Sequence, residues 1–70
     1  MNIDRLREYI STYLNEEHSF IYQGMRGQTE KFTGSIIKIY PRTVLIKTKE
    51  GSLKSFSYSD FLLKLLRILP

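Results

Sequence analysis

The spacing of apolar residues changes once along this chain, from three-and-four to two. Over residues 3–14, Ile3, Leu6, Tyr9, Ile10, Tyr13 and Leu14 recur three and four apart, which gathers them on one face of a helix. Asn2 stands where an N-cap belongs, Asp4 lies in the first turn and favours the helix dipole, and Asn15 stands at the C-cap position. Beyond residue 17 the apolar positions alternate. Phe20, Ile21 and Tyr22 give residues 18–23 the aromatic and β-branched content of a first strand. Residues 30–40 read as a long second strand. In a third, residues 43–48, Val44, Ile46 and Thr48 share one face, while Leu45, Lys47 and Lys49 share the other. In a fourth, residues 52–58, Lys54, Phe56 and Tyr58 lie opposite Leu53, Ser55 and Ser57. Tyr40-Pro41-Arg42 and Glu50-Gly51 are turns too tight for anything but antiparallel neighbours.

Three interruptions carry information. Alternation fails at Gly34-Ser35-Ile36-Ile37, where two isoleucines are adjacent. Either both faces are apolar there or the strand bends, and a glycine inside a strand commonly marks a bulge or a barrel corner. The loop Gly24-Met25-Arg26-Gly27-Gln28 has two glycines and an arginine. It reads as a wide hairpin turn, with a backbone nest for an anion as the alternative. Residues 59–69 admit two readings. Ser59 or Asp60 caps one helical turn through Leu63, and Leu65 to Leu69 then forms a closing strand. Alternatively the segment is one helix with Lys64 and Arg67 on a small basic face, of the kind that lies on membranes or partners. The turn followed by a strand is preferred because it supplies a fifth strand. The expected fold is mainly β: a small five-stranded SH3/Sm-like barrel, residues 18–69, with an N-terminal α-helix, in a single domain over residues 1–70.

Composition narrows the chemistry. Seventy residues without cysteine must hold together by apolar packing alone. His18 is the sole histidine, so no zinc cluster is expected, nor any other cofactor. Apolar runs fall short of the roughly 20 residues a membrane span needs, and the N-terminus lacks a signal-peptide core. A soluble, cytoplasmic protein with no membrane contact is expected. Charge is unevenly spread. Residues 1–17 set two arginines against four carboxylates, and residues 18–70 set nine Lys/Arg against three carboxylates. A basic barrel suits a polyanion, although simple solubility also explains such a charge.

Catalysis finds no support in the residue types. Hydrolysis needs paired carboxylates, or a nucleophile beside a base, and no nucleophile-elbow serine is present. Asp60, set among Ser57, Tyr58 and Ser59, reads as an aspartate that accepts backbone amides and starts a turn. The chain is therefore read as non-enzymatic. Lys38, Tyr40 and Arg42 surround an exposed turn, and Lys47, Lys49 and Lys54 lie on the strands beyond it. Basic groups neutralise phosphates and an aromatic ring stacks on an unpaired base, so these six are the candidate contacts for RNA or DNA. The competing reading makes Phe56 and Tyr58 core and the lysines a solvated edge that blocks aggregation. Two further partners stay open: a protein regulator bound without nucleic acid, and a second copy paired through strand edges.

The motif Gly34 and Ile36, Tyr40-Pro41, Val44 and Ile46, then Ser55-Phe56-Ser57-Tyr58-Ser59-Asp60-Phe61-Leu62 resembles the Veg family of small bacterial proteins. That family looks like Gly-x-Ile/Leu, Tyr-Pro, an apolar strand, then Ser-Tyr/Phe-Ser-Tyr-Ser/Ala-Asp-Val/Ile-Leu. The spacing agrees over residues 34–62 and extends loosely to the Gly24–Arg26 loop, about half to two-thirds of the chain. The family has a denser basic cluster where Met25-Arg26-Gly27-Gln28 stands, Phe61 replaces Val or Ile, and Leu63 to Leu69 is more apolar and basic. The element order also resembles, at the level of fold, the Sm-like barrel of bacterial Hfq. The Veg resemblance implies a cytoplasmic regulatory protein of Firmicutes-type bacteria, linked to gene expression and biofilm formation.

Overall fold

A computed structural model describes residues 3–24 and 27–69. Asn2 as N-cap, and the Met25-Arg26 part of the proposed anion nest, lie outside the described residues. Helix α1 spans Ile3–Ser11 and buries Leu6 and Ile10. It stops three residues short of the expected end at residue 14. The Ser11 hydroxyl donates to the Glu8 carbonyl and the Thr12 hydroxyl to the Tyr9 carbonyl, both at 2.7 Å. Such local bonds compete with the helical ladder. Tyr13 and Leu14 then donate three residues back, to Ile10 and Ser11, which tightens the last turn. Asn15 reverses the chain at φ 63°, a conformation asparagine tolerates better than most residues.

Five strands follow: β1 (Glu17–Gln23), β2 (Thr29–Ile39), β3 (Thr43–Thr48), β4 (Leu53–Ser57) and β5 (Leu66–Leu69), with a short helix α2 (Tyr58–Leu62) before the last. All pair antiparallel in one sheet of order β4-β3-β2-β1-β5. The fold is thus mainly β with an N-terminal helix, and the segment after residue 58 is a short helix and a strand rather than one continuous helix. The sheet is rolled. In a flat sheet β1 and β4 would lie ~14 Å apart, three strand spacings, yet the Tyr22 and Phe56 ring centroids are 5.4 Å apart. Phe32 of β2 stacks on Phe56 at 6.0 Å. Rolling places Phe20, Ile36, Val44, Ile46, Leu66 and Ile68 inside with Leu6 and Ile10 of α1. Among the described residues no ladder joins β4 to β5; α2 occupies that gap and contributes Tyr58 and Phe61 to the core.

Two devices make the roll. Gly34 sits where β2 and β3 nearly touch: a Cβ there would lie 2.6 Å from the Lys47 carbonyl oxygen and 3.1 Å from Thr48 Cα. Three residues on, the register slips between Ile36 and Lys38, because Ile36 faces Ile46 and Lys38 faces Leu45. Ile37 is the extra residue of a bulge. Adjacent Ile36 and Ile37 therefore point apart, one buried and one 38% exposed, and Ile39 returns to the core side. The Ile36 carbonyl also accepts the Asn15 N–H at 2.8 Å, which ties the chain after α1 to the bulge.

Helix α2 is capped from Ser57 rather than from Ser59 or Asp60. The Asp60 carboxylate accepts the Ser57 N–H at 3.1 Å and the Ser57 hydroxyl at 3.4 Å, in a capping box. Its C-terminal end is a Schellman motif. The Leu65 N–H reaches the Asp60 carbonyl and the Lys64 N–H the Phe61 carbonyl, with Lys64 at φ 60° where glycine is usual.

Candidate nucleic-acid interface

Strand alternation and register decide which basic side chains share a surface. Val44, Ile46 and Thr48 of β3 are buried, so Leu45, Lys47 and Lys49 face out. On β2 Phe32 packs on the core and Lys31 is exposed, so Lys31 also faces out. On β5 Leu66 and Ile68 are buried and Arg67 faces out. Ile21 of β1 pairs with Lys31 on one side and Arg67 on the other, which sets these two cations about two strand spacings, ~10 Å, apart. One step along, Ser19 pairs with Thr33, whose carbonyl accepts the Lys49 N–H at 2.9 Å. A further step along, Ser35 lies between Glu17 and Lys47. Ser35, Ile37, Lys47 and Lys49 line a shallow hollow of about 270 Å³ on this outer face.

The outer face therefore carries Lys31, Lys47, Lys49 and Arg67 around a floor of hydroxyl side chains, Ser19, Thr33 and Ser35. Past the bulge, Lys38 joins its margin, exposed and opposite Leu45. Glu17 is the one carboxylate among the described strand residues that faces the same way. Glu30, the other strand carboxylate, pairs in register with inward-facing Tyr22.

The six residues singled out from the sequence separate into three groups. Lys47 and Lys49 lie on the outer face as expected. Lys38, Tyr40 and Arg42 lie toward the β2–β3 turn: Lys38 is opposite Leu45, two residues or ~7 Å along β3 from Lys47, whereas Arg42 is five residues, ~17 Å, away. There the Lys38 ammonium lies 5.4 Å from the Tyr40 ring centroid, and Tyr40 is 40% exposed. Arg42 is exposed, and its carbonyl accepts the Tyr58 N–H at 3.2 Å. Tyr58 donates its hydroxyl to the Tyr40 carbonyl, so the turn is clamped from below by a buried phenol.

Lys54 does not join Lys47 and Lys49. The loop Lys49-Glu50-Gly51 has three residues, closed by Gly51 N–H to the Thr48 carbonyl at 2.9 Å with Gly51 at φ 93°. That loop sets Lys54 opposite Ile46 and Lys47 opposite Leu53, on different faces. Lys54 instead ion-pairs with Glu30 at 2.9 Å and lies 5.4 Å over the Phe32 ring. The sequence reading missed Lys31 as a contact and considered Arg67 only in the closing segment. Alternation alone marks Lys31 as outward; that it neighbours Arg67 depends on a β1–β5 pairing between residues far apart in sequence.

No protein-family model, curated protein or solved structure matches this chain. The Veg and Sm-like resemblances rest on residues 34–62 and on element order alone. Among the described residues, no helix is long and apolar enough to cross a membrane.

Proposed function

We propose that this chain is a non-enzymatic, cytoplasmic regulatory module of the Veg type, built on an SH3/Sm-like rolled sheet, that contacts RNA or DNA through the outer face of β5, β1, β2 and β3. The observation that carries the reading is the one-sided charge of that face: Lys31, Lys38, Lys47, Lys49 and Arg67 against Glu17. Cations at this spacing neutralise successive phosphates, and the Ser19, Thr33 and Ser35 hydroxyls between them are donors suited to phosphate oxygens. Tyr40 is the aromatic ring at the margin, so stacking on bases is a minor contribution and sequence preference is weak. The Veg-like motif supports the same regulatory role.

The test is binding to random single-stranded RNA and DNA pools at low and high salt, with Lys31, Lys47 and Lys49 reversed to Glu. Salt-sensitive binding that the triple variant loses, and that Lys54→Gln retains, agrees with the proposal. Absence of binding at low salt contradicts it and leaves the charge as a solubility feature.

A further inference from the structure

Helix α2 lies against β5 and leaves a trough between itself and α1 rather than an open sheet edge. The trough has a volume of about 550 Å³. Its floor is Leu6 of α1 with Leu66 and Ile68 of β5, which are 3%, 1% and 7% exposed. Its walls are Tyr9 of α1 and Leu62 of α2, each 41% exposed. Leu6 and Tyr9 are three apart in the helix and so share one face. Phe61 turns into the core, which leaves the next residue of α2, Leu62, at the surface.

Charge gathers on one side of this trough. Burial raises the pKa of the Tyr9 hydroxyl above its ordinary value, and a hydrogen bond with Tyr13 adds to the shift, so that wall is uncharged at neutral pH. Lys64 and Arg67 stand exposed at the rim. Both come from the segment that leaves α2 and enters β5, and three residues of chain hold their Cα atoms within ~11 Å of each other. Among the described residues neither has a carboxylate partner, and no carboxylate side chain lines the trough. Apolar walls with a few convergent polar groups are the makeup of a small-molecule site. The same features select the occupant. An extended peptide would bury amides here without partners, because Leu66 and Ile68 offer no exposed edge to pair with. A phosphate backbone would leave charged oxygens against leucine and phenylalanine. A bilayer surface meets side chains that project, whereas a trough admits a single chain. A hydrocarbon with one terminal anion leaves no polar group unpaired.

We propose that the trough between α1 and α2 is a binding site for a linear aliphatic carboxylate. The hydrocarbon chain lies against Leu6, Tyr9, Phe61 and Leu62, where burial of its methylenes supplies the affinity. The carboxylate meets Lys64 and Arg67, which fix its direction in the trough. This site is separate from the nucleic-acid reading except for Arg67 at its border.

The probe is decanoate, titrated into the whole chain below its micelle concentration by calorimetry, with methyl and amide shifts followed in parallel. Expected results are saturable one-to-one binding and shifts centred on Leu6, Phe61 and Leu62. Octanoate binds about tenfold more weakly, because two fewer methylenes are buried, and decylamine does not bind. Lys64→Gly removes one cation and suits the left-handed backbone; it weakens decanoate by about threefold to tenfold. Leu62→Asp, a change at an exposed wall, weakens it by about tenfold or more while circular dichroism shows the fold intact. Four results would overturn the proposal. Decylamine binds as tightly as decanoate; the shifts centre on Lys31, Lys47 and Lys49 instead of the trough; anionic vesicles bind and dissolved decanoate does not; or the trough is already shielded without ligand in a concentration-dependent dimer.

Discussion

At the scale of single residues, backbone geometry sets what two positions tolerate. Gly34 faces the β3 backbone, and the atoms a methyl group would meet are the Lys47 carbonyl oxygen and Thr48 Cα. Neither can swing away as a side chain does. Gly34→Ala is expected to cost ~1–3 kcal/mol, measured as a lower urea midpoint with unchanged slope. Lys64 is the opposite case, a lysine in the left-handed region at φ 60°, at the glycine position of a Schellman motif. Left-handed backbone costs a β-carbon residue ~1–2 kcal/mol, and glycine returns part of that as unfolded-chain entropy. Lys64→Gly should therefore stabilise the fold by about 0.5–1 kcal/mol, seen as a raised melting temperature. A fall in stability would mean that the lysine's stem packs on the groove more than its backbone is strained.

At the scale of elements, α1 is joined to the sheet mainly by packing. Ile10 is fully buried and Leu6 nearly so, whereas Ile3 on the same apolar stripe is 49% exposed. Ile10→Ala is expected to cost ~2–5 kcal/mol, a large share of the ~4–10 kcal/mol available to a domain this small. Ile3→Ala should fall within about 0.5 kcal/mol of wild type, and chemical denaturation of the two variants tests the contrast. The elements were largely legible because their periods differ and because Pro41, Gly51 and the Asn15–Glu17 region punctuate them. β3 matches its expected span, and its inward and outward residues match too. The helix end was not legible, because hydroxyl bonds from Ser11 and Thr12 depend on rotamers that a pattern does not encode. The bulge was half legible: adjacent Ile36 and Ile37 signalled a bend, but only the register shows that Ile37 is the extra residue. Of the candidate site, Lys47 and Lys49 followed from alternation. Alternation also put Lys54 on the other face, and proximity across the turn was the wrong ground for grouping it with them. The neighbouring of Lys31 and Arg67 needed the closure of β5 onto β1, a contact between sequence-distant strands.

At the scale of the whole molecule, rolling the sheet separates three surfaces. Aromatic rings and aliphatic side chains go inside, the outer face collects cations, and an apolar groove runs between α1 and α2 beside β5. The roll depends on Gly34 and the Ile37 bulge, so the residues that shape the core also determine which lysines become neighbours. The proposed activity is a property of that outer face and requires no reacting group, only cations held at fixed spacing by the ladder. The measurement that tests it most directly is the slope of log affinity for single-stranded nucleic acid against log salt concentration. Each neutralised phosphate contributes about −0.7 for single strands, so four contacts from Lys31, Lys47, Lys49 and Arg67 predict a slope near −3. Reversing Lys31, Lys47 or Lys49 should flatten it by about one contact each, and Lys54→Gln, which removes an ion pair on the other face, should leave it unchanged. A slope equally sensitive to Lys54, or one that none of the outer-face reversals changes, would contradict the assignment of binding to this face.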